Sequence, residues 1–253
     1  MKFLLLENEQ ILIHGGLLSP MSHSIRKPFL SLNSYEYTNF RFVVEDLVKS
    51  CSKDGLLLLD AGCGKGDSIW SLPSKVELVG VDVLRANVLC SKRRWRKRSY
   101  LVADLNMLPF RESTFGGTLS CDVLEHVNNK AAALNELARI TLKGGFFIGC
   151  SSNILNPAMY LDVKLSRLMM PLVMKLAGTG HYDRHSRFSP HSLAKTLKAT
   201  GYQMNYLCLL GYPEFEAEKL PWLARLWVLF DKLTNKKPLL YLKEVLIWQA
   251  IRI

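Results

Sequence analysis

Three mainly apolar segments of this chain end in turn on an aspartate: residues 56–60 on Asp60, 76–82 on Asp82 and 100–104 on Asp104. The first is continuously apolar, the pattern of a strand buried on both faces of a parallel sheet. Parallel strands cannot be joined by tight turns and need crossovers, which are right-handed. Such crossovers bring the carboxyl ends of all three strands to one edge, where open α/β sheets bind ligands. Asp60 runs directly into Ala61-Gly62-Cys63-Gly64-Lys65-Gly66. Glycines there let the backbone turn sharply and approach a ligand closely. A carboxylate at that point disfavours a phosphate and suits a cationic or amine-bearing ligand.

The spacing elsewhere extends the same rhythm. Phe40, Val43, Val44, Leu47 and Val48 recur at helical intervals ahead of the first strand. A helix is expected over 66–72, ended by Pro73, and another over 84–95. Residues 118–122 and 146–150 are the fourth and fifth strands, flanking a helix over 130–141 that Lys143-Gly144-Gly145 closes with a glycine cap. Ser189-Pro190 opens a helix to about Ala199, with a strand-like run over 203–210 after it. Residues 221–233 form an amphipathic helix, and 245–253 the final strand. The chain therefore reads as one domain over 1–253. It has an extension over 1–34 (a short hairpin or flap) and a methionine-rich insertion over 154–185.

Of the 253 residues, 49% are hydrophobic and 22% charged, with a net charge of +11. A sizeable core follows, and the charge suits anionic partners or a basic solvated surface equally. The six cysteines form no C-x-x-C pair, which points to a reducing cytosol and to no zinc site or disulfide framework. Cys63, Cys121 and Cys150 read as small core residues. Residues 1–13 carry Glu7 and Glu9 and do not read as a signal peptide. No uncharged apolar run approaches the roughly 20 residues of a spanning helix.

The order of these motifs resembles the class I methyltransferases that use S-adenosylmethionine. Asp60-Ala61-Gly62-Cys63-Gly64-Lys65-Gly66 is similar to the family's first motif and Asp82 to the second. Asp104-Leu105-Asn106-Met107-Leu108-Pro109-Phe110 is similar to the third. Asp122-Val123-Leu124-Glu125-His126-Val127 resembles the fourth motif of the branch containing ubiquinone and menaquinone biosynthesis enzymes, and residues 136–145 resemble the segment before strand five. The likeness covers 56–151 and resumes weakly at 186–201. Gly116-Gly117 and Thr141 depart from the family pattern away from the expected cofactor contacts.

The resemblance implies a Rossmann-like three-layer α/β sandwich. Its sheet has seven strands, mostly parallel, with an antiparallel last strand. It implies S-adenosylmethionine as cofactor and methyl transfer to oxygen or carbon of a small or lipid-like acceptor. Asp60 then takes the ammonium, by a charge-assisted hydrogen bond. Gly62, Cys63 and Gly64, with Ala61, approach the methionine part. Asp82 takes the ribose hydroxyls and Asp104 the adenine amino group. Val83 and Leu84 flank the ring, Leu105 packs nearby, and Cys121 and Asp122 line the pocket near the methyl. Arg41 is a candidate for the cofactor carboxylate, or a solvated helix residue. His126 is the candidate catalytic base, or a residue that packs the loop.

Other features carry rival expectations. Lys92-Arg93-Arg94-Trp95-Arg96-Lys97-Arg98 either contacts RNA or anionic lipid, or forms a solvated helix end whose cations suit the dipole. An RNA methyltransferase is thus one alternative. An NAD-type oxidoreductase is another, weakened because the loop reads G-x-G-x-G rather than G-x-G-x-x-G. A non-catalytic cofactor-binding module is a third. His181, Asp183, His185 and His191 match no common zinc spacing, so no metal is expected. The expected location is cytoplasmic, with peripheral contact to a membrane where segment 154–177 lies on lipid.

Overall fold

A computed structural model describes residues 10–13, 40–68, 72, 73, 75–156, 187–210, 242 and 245–253. The elements in order are β1 (Gln10–Ile13), α1 (Phe40–Cys51), β2 (Leu57–Ala61), β3 (Glu77–Asp82), α2 (Arg85–Arg94), β4 (Ser99–Val102), β5 (Phe115–Cys121), α3 (Lys130–Ile140), β6 (Thr141–Ser152), α4 (Pro190–Ala199), β7 (Tyr202–Leu210) and β8 (Val245–Arg252). The strands form one sheet ordered β1-β7-β8-β6-β5-β2-β3-β4. β8 runs antiparallel to both its neighbours, β6 and β7, and the other pairings are parallel. Strands β2 to β8 make the expected seven-stranded sheet with its antiparallel last strand. β1 adds an eighth at the edge, pairing Gln10 with Tyr206 through Ile13 with Leu209.

Alternation along the strands builds a core on each face. Leu58, Leu119, Ile148 and Ile247 meet Val44, Leu47 and Val48 of α1 on one side. Their neighbours Leu59, Phe147 and Trp248 meet Leu134 and Leu137 of α3 and Leu193 and Leu197 of α4 on the other. Trp248 is fully buried, and a Cβ on Gly149 would stand 2.2 Å from its ring, so the glycine makes room for it. Trp248 packs edge-on against Phe147 and Phe188.

Two local expectations need correction. The described part of the helix expected over 66–72 is turn and bend through Ser68, while 69–71 lie outside the described residues. Gly64 and Gly66 take positive φ (52° and 80°), which a right-handed helix cannot use. The helix expected over 130–141 ends at Ile140, and Thr141, not a glycine, caps it in an extended conformation. Strand β6 then starts at once, with an irregularity that passes Gly144 (φ 75°) before pairing resumes at Phe146. At α4 the expected start holds: Ser189 caps the helix in a capping box with Ser192, and Pro190 follows. The helix expected over 221–233 and nearly all of the 154–185 insertion lie outside the described residues, as does the 1–34 extension apart from β1.

Candidate functional site

β2 carries the chain into the glycine loop, and β3 holds that loop down. Gly62 N–H and Cys63 N–H both donate to the Val81 carbonyl at 2.8 Å. Gly62 takes φ 84°, and a Cβ there would stand 2.3 Å from Val123 Cγ2. Only glycine fits, because the loop after β5 presses directly on it. α2 braces the loop from the side. Ser91 Oγ donates to the Gly64 carbonyl and Trp95 Nε1 to the Gly66 carbonyl, each at 2.8 Å, while Arg94 pairs with Asp67. Part of the basic run is therefore occupied with fixing the loop.

Asp82 ties the strand tips together. Its Oδ2 accepts from Gly64 N–H at 3.0 Å, and its Oδ1 accepts from Leu84 N–H at 2.9 Å and Asn87 Nδ2 at 3.2 Å. On the next strand, Asp104 Oδ1 accepts from Asn106 N–H and Nδ2 at 2.8 and 2.9 Å, turning the chain back at the rim. Behind that turn, Arg139 donates to the carbonyls of Phe110 and Leu108 and grips Glu136, whose Oε2 accepts from Leu108 N–H. The arginine holds the Glu136 carboxyl below its usual range. Across the opening, Asp122 follows β5 at φ 53°, a conformation aspartate tolerates better than most residues.

These loops enclose a cavity of about 750 Å³. Of the residues expected to bind cofactor, Gly62, Cys63, Gly64, Asp82, Val83, Asp104, Leu105, Cys121 and Asp122 line it. The three carboxylates among them come from the ends of β3, β4 and β5. His126 also stands in the wall. Asp60 and Ala61 do not: both are buried beneath the loop. Asp60 Oδ1 has no hydrogen-bond partner, and burial pushes its carboxyl up to about 7 despite a bond from Ser68 and the nearby Arg98 cation. Burial also pushes the Cys63 thiol up to about 12, helped by the Asp60 and Asp82 charges. The Arg41 side chain lies outside the described residues.

The expected cofactor contacts left out several polar residues at or behind the wall. Asn87 and Asn106 line the cavity beside Asp82 and Asp104, and Asn106 Oδ1 is buried without a partner. Their signal was their place, five residues after Asp82 and two after Asp104. Glu125 is buried under the β5 loop, its Oε1 near Ser152 N–H and its Oε2 without a partner. Of the histidine cluster, His181 and His185 lie outside the described residues, as does Asp183. No group of three metal-ligating side chains occurs among the described residues. All six cysteines are free, with Cys63, Cys121, Cys150 and Cys208 buried. No described helix is long and apolar enough to cross a membrane.

Residues 59–149 match the family model described as a methyltransferase domain. A tRNA (carboxymethyluridine(34)-5-O)-methyltransferase of Arabidopsis thaliana is 35% identical over 98 residues, covering 37% of this chain and 23% of that protein. An O-methyltransferase of Pyrenophora dematioidea is 26% identical over 117 residues, 43% of this chain and 44% of the relative. The chain thus spans under half the length of each of these relatives. The crystal structure of a putative methyltransferase from Bacillus halodurans superposes with a TM-score of 0.59 at 19% identity, over 81% of this chain and 96% of that one. The fold is Rossmann-like, as in that solved structure.

Proposed function

We propose that the protein is a class I S-adenosylmethionine-dependent methyltransferase. The single observation that supports this most is the convergence of Asp82, Asp104 and Asp122 with the glycine loop on one cavity, inside the segment that matches a methyltransferase domain. Bound S-adenosylmethionine supplies a methyl group already activated on a sulfonium, so the protein's main task is alignment.

The residues fit that molecule. Gly64 lines the cavity, and a Cβ on it would meet no protein atom within 4 Å. The backbone is therefore exposed for close approach. Asp82 is the ribose acceptor of this proposal. A carboxylate offers about four lone-pair sites, and Gly64, Leu84 and Asn87 already fill three. To take both hydroxyls it must release one, and the Asn87 amide is the longest of the three bonds. Asp104 sits exposed at the rim for the adenine amino group, with the orphan Asn106 Oδ1 as a second acceptor beside it. Asp60 acts from beneath the loop. Its buried, unpartnered oxygen gains an electrostatic partner when a cation settles above. Arg41 remains the candidate for the carboxylate. His126 in the wall serves as base where the acceptor arrives protonated.

The acceptor proposed is small or lipid-like, methylated on oxygen or carbon, in the manner of the quinone-precursor branch that the 122–127 motif resembles. The Pyrenophora relative's name supports transfer to oxygen. The Arabidopsis relative's name supports tRNA, through less than a quarter of that protein. Titration calorimetry with S-adenosylhomocysteine and with NAD separates methyltransferase from oxidoreductase. Incubation with methyl-labelled cofactor and fractionated extract then follows. Label in lipid or small metabolites supports the reading. Label in RNA moves the acceptor, and binding without any label leaves a cofactor-binding module.

A further inference from the structure

The exposed apolar side chains gather at the β4 edge of the sheet. Leu84, Leu89, Leu101, Val102 and Met107 are 41–79% exposed there. Elsewhere among the described residues, beyond Val83 at the cavity, only Leu142, Leu155 and Ile253 are comparable. The cofactor proposal accounts for Val83 and Leu84, which line the cavity. It does not account for Leu89, Leu101, Val102 or Met107.

The α2 side of this edge is cationic, with Asp82 and Asp104 bounding it at the cavity. Residues 83–103 contain no aspartate or glutamate. Arg94 and Arg98 are engaged, one with Asp67 and the other stacked 4.2 Å over the Trp95 ring. Lys92, Arg93, Arg96 and Lys97 are exposed and make no ion pair among the described residues. Arg85, Leu89, Lys92 and Arg93 follow helical spacing, so α2 shows one outward stripe of cations with an aliphatic between them. A helix dipole favours cations in its last turn. It does not call for four crowded together, which repel one another unless an anion faces them.

We propose that this edge docks on an anionic lipid surface. The inference deepens the lipid-like acceptor proposed above and rests on that reading for its purpose. Aliphatic side chains reach into the headgroup boundary while cations meet phosphates. RNA fits less well. Unpaired bases stack on aromatic faces, and Trp95, the aromatic of the run, is covered by Arg98 and bonded to the Gly66 carbonyl. Exposed aliphatics gain nothing from phosphodiesters. The geometry also serves delivery: the first turn of α2 lies at the cavity, and its ten residues place the cation cluster about 15 Å away.

The test is co-sedimentation of the full chain with vesicles of phosphatidylcholine alone or with one-third phosphatidylserine, at physiological ionic strength. S-adenosylhomocysteine titration accompanies every variant as a measure of the intact site. Retention by anionic vesicles alone is expected. It falls about fivefold for each cation neutralised in K92Q, R93Q, R96Q and K97Q. Leu89→Ser and Met107→Ser weaken it further, and cofactor-product binding is unchanged throughout. Absence of retention, equal retention by neutral vesicles, indifference to these substitutions, or a structured RNA that displaces the vesicles overturns the proposal. Loss of vesicle binding with product binding intact defeats the docking alone. Failure of product binding in the unmodified chain defeats the functional reading instead.

Discussion

Gly62→Ala tests how tightly the glycine loop and the β5 loop are locked. Two costs act at this position. Gly62 has φ 84°, which an L-residue adopts at about 1–2 kcal/mol. The new Cβ would also stand 2.3, 2.5 and 2.9 Å from Val123 Cγ2, Cγ1 and Cβ, and overpacking of that kind costs about 1–3 kcal/mol. The expected loss is therefore about 2–5 kcal/mol, read as a shift in the urea midpoint at constant slope. Val123→Ala separates the two parts. It removes both Cγ atoms, so the double variant recovers most of the overpacking cost and none of the backbone cost. The coupling between the two sites is then about 1–3 kcal/mol. Additivity within 0.5 kcal/mol would refute the contact, since that is how independent sites behave.

Asp60 gives a pH dependence of definite sign. Burial raises its carboxyl from 3.8 to about 7, so between those values the native state holds a proton that the unfolded chain has released. Stability without ligand therefore falls as pH rises through that window, by at most roughly 4 kcal/mol. Asp60→Asn flattens the profile, and urea titrations from pH 4 to 8 that show equal slopes in both proteins would sink the idea. Asp82→Asn sets an amide against donors it now accepts from. Affinity for S-adenosylhomocysteine should drop by at least about tenfold in calorimetry, and an unchanged affinity removes Asp82 from the site. Arg139→Lys loses the fork that reaches two carbonyls and Glu136 together. A loss of about 1–2 kcal/mol is expected, and a variant as stable as the parent shows that the Leu108–Phe110 turn needs no such clamp.

The sheet was largely legible because its strands are short apolar runs bounded by breakers, as at Leu58–Leu59–Asp60 and Phe147–Ile148. The missing features have local causes. β1 is four residues long, too short for any periodicity, and only its pairing with β7 defines it. The helix expected after the loop was inferred from the chain's alternation, yet the positive φ of Gly66 is a property of the folded turn. At the site, Asp82 and Asp104, singled out by residue identity, stand in the cavity wall. Residue identity could not show that Asp60, two residues along from Leu58 on the same strand face, would be sealed beneath the loop. Asn87 and Asn106 lie in stretches that carried a pattern, an expected helix and the third motif, but their part in the site was hidden for a related reason. They matter through bonds to the aspartates, which residue identity does not show.

β8 lies between β6 and β7, although nearly all of the intervening chain precedes it. A growing polypeptide that has reached Leu210 holds two strands whose shared neighbour does not yet exist. Each offers a bare row of amides and carbonyls toward the other, and each carries a buried apolar run, residues 146–148 in β6 and 207–209 in β7. Folding must await residues 245–252, across a long closure that slows assembly. During that interval these strands are the segment most exposed to mispairing between chains. Ribosome-bound intermediates lacking the final strand should accordingly depend on chaperones, while the β2–β5 half is already able to pair with itself.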